Sequence, residues 1–345
     1  MSRRASGSRG VVSVLLAVSG ALFLGAAGLA GAAWWWVERP LLLAAATAEL
    51  SIEPGTAPRD IAQAWVQAGV QTPPTLLYAW FRLSGQARRI RAGSYEIDSG
   101  TSPRRLLAKM VQGDEALEHV RFTEGWTLRQ VRAELARAPA LKPASAGLSD
   151  AALMTALGAP GVAGEGRFFP DTYAYSRGVS DLTVLKRAHR AMQQKLIAIW
   201  AERAPDTPLK SADEALILAS IVEKETGAAA DRGQVAGVFA NRLRIGMPLQ
   251  TDPTVIYGLG LAFDGNLRKR DLLADTPFNT YTRRGLPPTP IALPGLASLR
   301  AAVRPDATQA LYFVARGDGS SAFSASLAEH NRAVNQYQKS QRAQR

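Results

Sequence analysis

The residues best suited to chemistry fall in a few short runs. Glu223-Lys224-Glu225-Thr226 closes a stretch over residues 212–224 that is nearly all apolar from Ala215 to Val222. A helix apolar all round is a buried one. A carboxyl held against apolar walls has its pKa raised, which is what a general acid at neutral pH requires. Positions two apart on a helix point about 200° apart, so at most one of the two glutamates acts on a given substrate. Spacing leaves Glu223 and Glu225 equal, and a solvated helix end is the ordinary alternative. Gln250-Thr251-Asp252-Pro253-Thr254 and Asn279-Thr280-Tyr281 offer the hydroxyls, amides and rings that hydrogen-bond and stack on sugars. Asp252 before a proline equally suits a turn. The run Glu165-Gly166-Arg167-Phe168-Phe169-Pro170-Asp171-Thr172-Tyr173 reads as a cleft wall or as a packed loop.

Composition narrows the chemistry further. With Cys 0 and His 3 there is no thiolate metal cage, no disulfide frame and no cysteine nucleophile. Any hydrolytic chemistry must rest mainly on carboxylates or hydroxyls, and no metal or cofactor is expected. No G-x-G-x-x-G or Walker pattern points to nucleotides. Hydrophobic residues at 47% and charged residues at 20% exclude wholesale disorder. Lys and Arg exceed Asp and Glu by 41 − 29 = 12, so the partners are anionic. No zinc finger, RRM or basic zipper supports a nucleic-acid role.

These residues need elements to position them. Residues 10–37 carry no charge and can cross a bilayer as a helix with some tilt. Arg3, Arg4 and Arg9 before them place the N-terminus in the cytoplasm, and Trp34, Trp35 and Trp36 suit the headgroup zone at the far end. Ala30-Gly31-Ala32 offers a signal-peptidase site as the alternative, but the apolar run is long for a cleaved signal. Beyond the anchor, a strand, a Gly-containing turn, a capping Thr or Ser and an amphipathic helix recur three times. They start at Leu50, Tyr95 and Val120, with Thr56, Ser102 and Thr127 as the capping candidates. A Pro, Ala and Ser-rich stretch over 139–147 reads as a hinge. Helices follow over 182–200 and 212–224, then a strand over 311–315 among turns. The expected class is α+β.

Residues 50–97 resemble a LysM module, a βααβ glycan-binding unit, through Pro54-Gly55-Thr56, Ile61-Ala62 and Ala92-Gly93-Ser94-Tyr95. A plain spacer fits those residues as well. The runs at 165–173, 218–226, 249–258, 279–281 and 285–288, with Asn241-Arg242-Leu243, Tyr312-Phe313-Val314 and His330-Asn331, resemble the endolytic murein transglycosylases of the MltG (YceG-like) family. That resemblance implies an inner-membrane enzyme, periplasmic beyond its anchor, which cuts nascent peptidoglycan strands and leaves a 1,6-anhydro-N-acetylmuramyl end. It implies Glu223, the first glutamate of its run, as the catalytic residue. The substrate-binding candidates are Gln250, Thr251, Asp252, Asn279 and Tyr281. The expected organisation is a cytoplasmic tail (1–9), a transmembrane helix (10–37), a LysM-like module (48–115) and a catalytic domain (116–345). Glycan strands, membrane lipid and peptidoglycan synthases are the implied partners. A hydrolase using Asp252 or Asp171 as second carboxylate, and a noncatalytic wall-binding protein, are the rivals.

Overall fold

A computed structural model describes residues 7–343; the side chains of 7–18, 20, 22 and 338–343 are outside that description. Packing divides the chain into two units. One runs to Glu118 and takes in Ser176–Gly178; the other comprises His119–Tyr175 and everything from Val179 onward.

The first unit opens with α1 (Gly7–Glu38), followed by β1 (Thr47–Ile52), α2 (Pro58–Gln67), α3 (Pro74–Leu83), β2 (Gly93–Asp98) and α4 (Pro103–Gln112). The expected βααβ order of residues 50–97 is present, with β1 and β2 antiparallel and Leu50 opposite Tyr95. Ile61, Trp65, Leu77, Phe81, Tyr95, Leu106 and Met110 form its core, the inward faces of amphipathic helices. Ser102 caps α4 by accepting from the Arg105 N–H, with Pro103 in the first turn. The first repeat departs from expectation: Ala57, at the cap position before α2, offers no side-chain cap, and the Thr56 hydroxyl turns back to the Glu53 carbonyl. The Arg104 guanidinium lies 4.6 Å from the Trp34 ring and pairs with Glu38 at 2.6 Å, clasping the end of α1 to α4. Among the described residues no helix is long and apolar enough to cross a membrane. Much of the expected span lies where side chains are outside the description.

The chain continues through β3 (Leu117–Arg121), α5 (Leu128–Arg137), α6 (Asp150–Ala156), β4 (Thr172–Ser176), α7 (Asp181–Ala201), α8 (Ala212–Glu225), α9 (Arg232–Arg244), α10 (Asp252–Leu259), α11 (Lys269–Leu273), α12 (Leu296–Val303), β5 (Tyr312–Ala315), β6 (Ser321–Ser324) and α13 (Leu327–Ala343). β3 pairs with β4 and β5 with β6. The strands are few and the helices carry the cores, a mixed α and β architecture.

At the centre is α8, with Ala215, Leu216, Leu218, Ala219, Ile221 and Val222 all fully buried. It packs against α7, α9 and α12, so no side of it needs to be polar until it ends. Ser211 caps its first turn by accepting from the Glu214 N–H. A second cluster forms around Phe122, Val131, Leu153, Phe168 and Leu185. There α5 opens with the Thr127 and Gln130 capping box.

Candidate active site

Because α8 is sheathed in apolar neighbours, its C-terminal turn delivers two carboxylates to two different places. The expected divergence holds. Glu223 Oε2 accepts from the Gly295 N–H at 2.9 Å, at the start of α12, where a carboxylate complements free backbone amides. Glu225 Oε1 accepts from the Thr251 hydroxyl on the other side.

Glu225 opens into a cleft of about 460 Å³ lined by Arg242, Gln250, Asp252, Tyr281, Tyr312 and His330 among others. Its carboxyl is pushed up, chiefly by burial and further by nearby Asp252, against the Thr251 hydrogen bond and the Arg242 charge. As the last residue of α8 it also sits at the end of the helix dipole that disfavours a negative charge. Asp252, exposed at the first turn of α10, accepts from the Tyr281 hydroxyl at 2.5 Å. Burial, and after it that bond, raises the Tyr281 phenol. Gln250 holds a left-handed backbone, φ 49°, costly for a residue with a Cβ. Its N–H is tied to the Thr280 carbonyl at 3.0 Å, and this bend brings Gln250 and Asp252 to the cleft.

The cleft is braced from behind by Arg242. Its guanidinium donates to the carbonyls of Leu311 at 2.7 Å, Leu249 at 2.7 Å and Pro248 at 3.3 Å. It also lies 5.3 Å from the Tyr312 ring, which stacks on His330 at 5.2 Å. One buried side chain thus fixes both the Leu249-Gln250 approach and the entry to β5.

Three of the candidates do not line this cleft. Glu223 lines neither it nor the larger one described below. Thr251 is buried, with its N–H on Thr280 and its hydroxyl on Glu225, so it holds the carboxyl and is not open to substrate. Asn279 is wholly buried; its amide donates to the carbonyls of Asp271, Leu272 and Ala274, and its Oδ1 accepts from the Tyr281 N–H. It shapes the loop that presents Tyr281. Gln250, Asp252 and Tyr281 do come together, around Glu225.

Comparison with known proteins shows what the chain is similar to. The profile of the YceG-like family matches residues 50–336. The chain belongs to the YceG-like family. An endolytic murein transglycosylase of Bacillus subtilis is 40% identical over 173 residues, 50% of this chain and 48% of that protein. One from Streptococcus pneumoniae D39 is 32% identical over 155 residues, 44% of this chain and 28% of the other. The matched stretch thus spans half or less of these curated relatives. A crystal structure of a YceG-like protein from Listeria monocytogenes superposes with a TM-score of 0.51 at 27% identity, covering 83% of this chain and 98% of that one. The family match therefore takes in both the βααβ part of the first unit and the cleft of the second.

Arg242, Tyr312 and His330 stood in the sequence only as carriers of the family resemblance and were not among the site candidates. A signal for Arg242 existed: it interrupts a helix whose Val235, Ala236, Val238, Phe239 and Ala240 are all buried, and an arginine there needs partners.

Proposed function

We propose that this protein is an endolytic peptidoglycan lytic transglycosylase, cutting glycan strands between N-acetylmuramic acid and N-acetylglucosamine, with Glu225 as its acid and base. The observation that carries the reading is a carboxyl with raised pKa in a cleft furnished with an amide, a phenol and stacked rings. Two relatives bearing the name endolytic murein transglycosylase support the reaction class.

One carboxyl suffices for this chemistry. Protonated Glu225 gives its proton to the glycosidic oxygen as the bond to C1 breaks. The carboxylate left behind takes the proton of the substrate's own C6 hydroxyl as that oxygen closes onto C1, forming the 1,6-anhydro ring. Atoms and charge balance without water, and the intramolecular nucleophile has a high effective molarity. The exposed Asp252 carboxylate supplies negative charge near the cation that develops at C1, and its bond from Tyr281 fixes its direction. Thr251 holds Glu225 in place.

Asp252 in the same cleft also suits a hydrolase with two carboxylates. Products separate the two: hydrolysis leaves a reducing sugar end, whereas transglycosylation leaves the anhydro form. Mass spectrometry of fragments released from purified glycan is expected to show the anhydro end.

We propose further that residues 10–37 anchor the chain in the inner membrane with the catalytic unit periplasmic, where it ends growing strands alongside the synthases. A reporter fused after Arg345 is expected to be active only outside the cytoplasm. Appearance of the mature chain free in the periplasm would contradict the anchor.

A further inference from the structure

A second cavity, larger than the catalytic cleft at about 680 Å³, lies on the other side of α10. Asp252 faces the cleft, while Pro253, Ile256, Tyr257 and Gly260 line the second cavity, the i, i+3, i+4, i+7 face of one helix. The end of α8 divides in the same way: Glu225 lines the cleft and Lys224 the second cavity. Two pairs of sequence neighbours are thus split between the two spaces. The two spaces therefore flank α10 and the end of α8, about a helix's width apart.

Glu165 closes this cavity at depth. It is buried, with Oε1 accepting from the N–H groups of Leu128 at 2.9 Å and Gly166 at 3.2 Å. Oε2 accepts only from the Tyr257 hydroxyl, at 3.2 Å, which leaves it acceptor capacity toward the cavity. Burial pushes this carboxyl up to about 7, and the catalytic scheme makes no use of it. Ile256, Tyr257 and Phe263 add an apolar wall. Arg129 and Lys224 line this space along with Asp150 and Glu165, so its charge selects neither an anion nor a cation. An apolar wall facing a hydrogen-bond acceptor matches a neutral amino sugar, which presents C–H faces and an N-acetyl methyl to one side and hydroxyl or amide N–H groups to the other.

We propose that this cavity is a second saccharide subsite, which takes an N-acetylated sugar of the same strand whose scissile bond lies at Glu225. The proposal rests on the catalytic reading above and deepens it: a strand cut in its interior is gripped beyond the scissile bond, across the α10 ridge.

The test is calorimetric titration of the full chain carrying Glu225→Gln with N-acetylglucosamine oligomers of increasing length. Affinity is expected to rise once an oligomer is long enough to reach both spaces. Adding Phe263→Ala is expected to remove that rise, roughly tenfold for one buried aromatic contact, without changing the affinity of the short oligomers. Phe263 is partly exposed, and an unchanged thermal midpoint confirms that the variant is folded. The proposal is overturned if affinity does not depend on length, if no oligomer binds, if the rise survives Phe263→Ala, or if only peptide-bearing strands show it. Turnover measured separately in Glu225→Gln distinguishes the two readings. Persisting turnover removes the catalytic assignment but leaves the length dependence to stand or fall by itself.

Discussion

At the scale of single residues, the two glutamates that spacing could not separate are separated by what each meets. Glu223 meets a free backbone amide at Gly295 and Glu225 meets a cleft. The sequence made their divergence legible, because 200° follows from helix geometry, but which side would be hollow depends on residues 250–281, far along the chain. Glu165 shows the same limit. Its run reads as wall or loop, and only the approach of Leu128 and Tyr257 reveals a buried carboxyl. Because its folded pKa of about 7 exceeds the unfolded value of 4.5, the native state holds this proton more tightly. The resulting stability is fully present below about pH 4.5 and is lost as pH rises through 7, on the order of 3 kcal/mol. The thermal midpoint of Glu165→Gln is therefore expected to fall less steeply than wild type between pH 5 and 7.5. Parallel slopes would show that burial does not hold the proton.

At the scale of elements, helices were the most legible part. The expected spans 182–200 and 212–224 appear as α7, Asp181–Ala201, and α8, Ala212–Glu225, since apolar runs and capping residues are local signals. The α10 helix was not read, because Gln250-Thr251-Asp252-Pro253 looks like a turn until Pro253 is seen in its first turn. Arg242 joins α9 to the cleft by three carbonyl bonds, so Arg242→Met is expected to leave buried acceptors unpaired and cost about 3 kcal/mol in chemical denaturation. Arg242→Lys is expected to recover only part of this, because an ammonium lacks the planar fork. Full recovery with lysine would mean that charge alone matters there.

At the scale of the whole molecule, two units carry different tasks in this reading. The first has the βααβ order anticipated for a glycan-binding module, and its own core; the second holds both cavities. A protein beginning at Leu117 is expected to keep some turnover while binding wall sacculi more weakly in pull-down. Undiminished binding would reduce the first unit to a spacer. An expectation of two units was legible from length. The place where chain order and packing part company, Ser176–Gly178, was not, since it depends on contacts distant in sequence.

The central claim is that Glu225 performs the chemistry and Glu223 does not. Muropeptide mass spectrometry on purified glycan, run with wild type, Glu225→Gln and Glu223→Gln, tests it most directly. Glu225→Gln cannot exchange a proton, so anhydro-ended product is expected to fall by roughly 10²- to 10⁴-fold, as for loss of a general acid and base. Glu223→Gln, which keeps an oxygen for the Gly295 amide, is expected to lose far less. Near wild-type product from Glu225→Gln, with its loss in Glu223→Gln, would contradict the account.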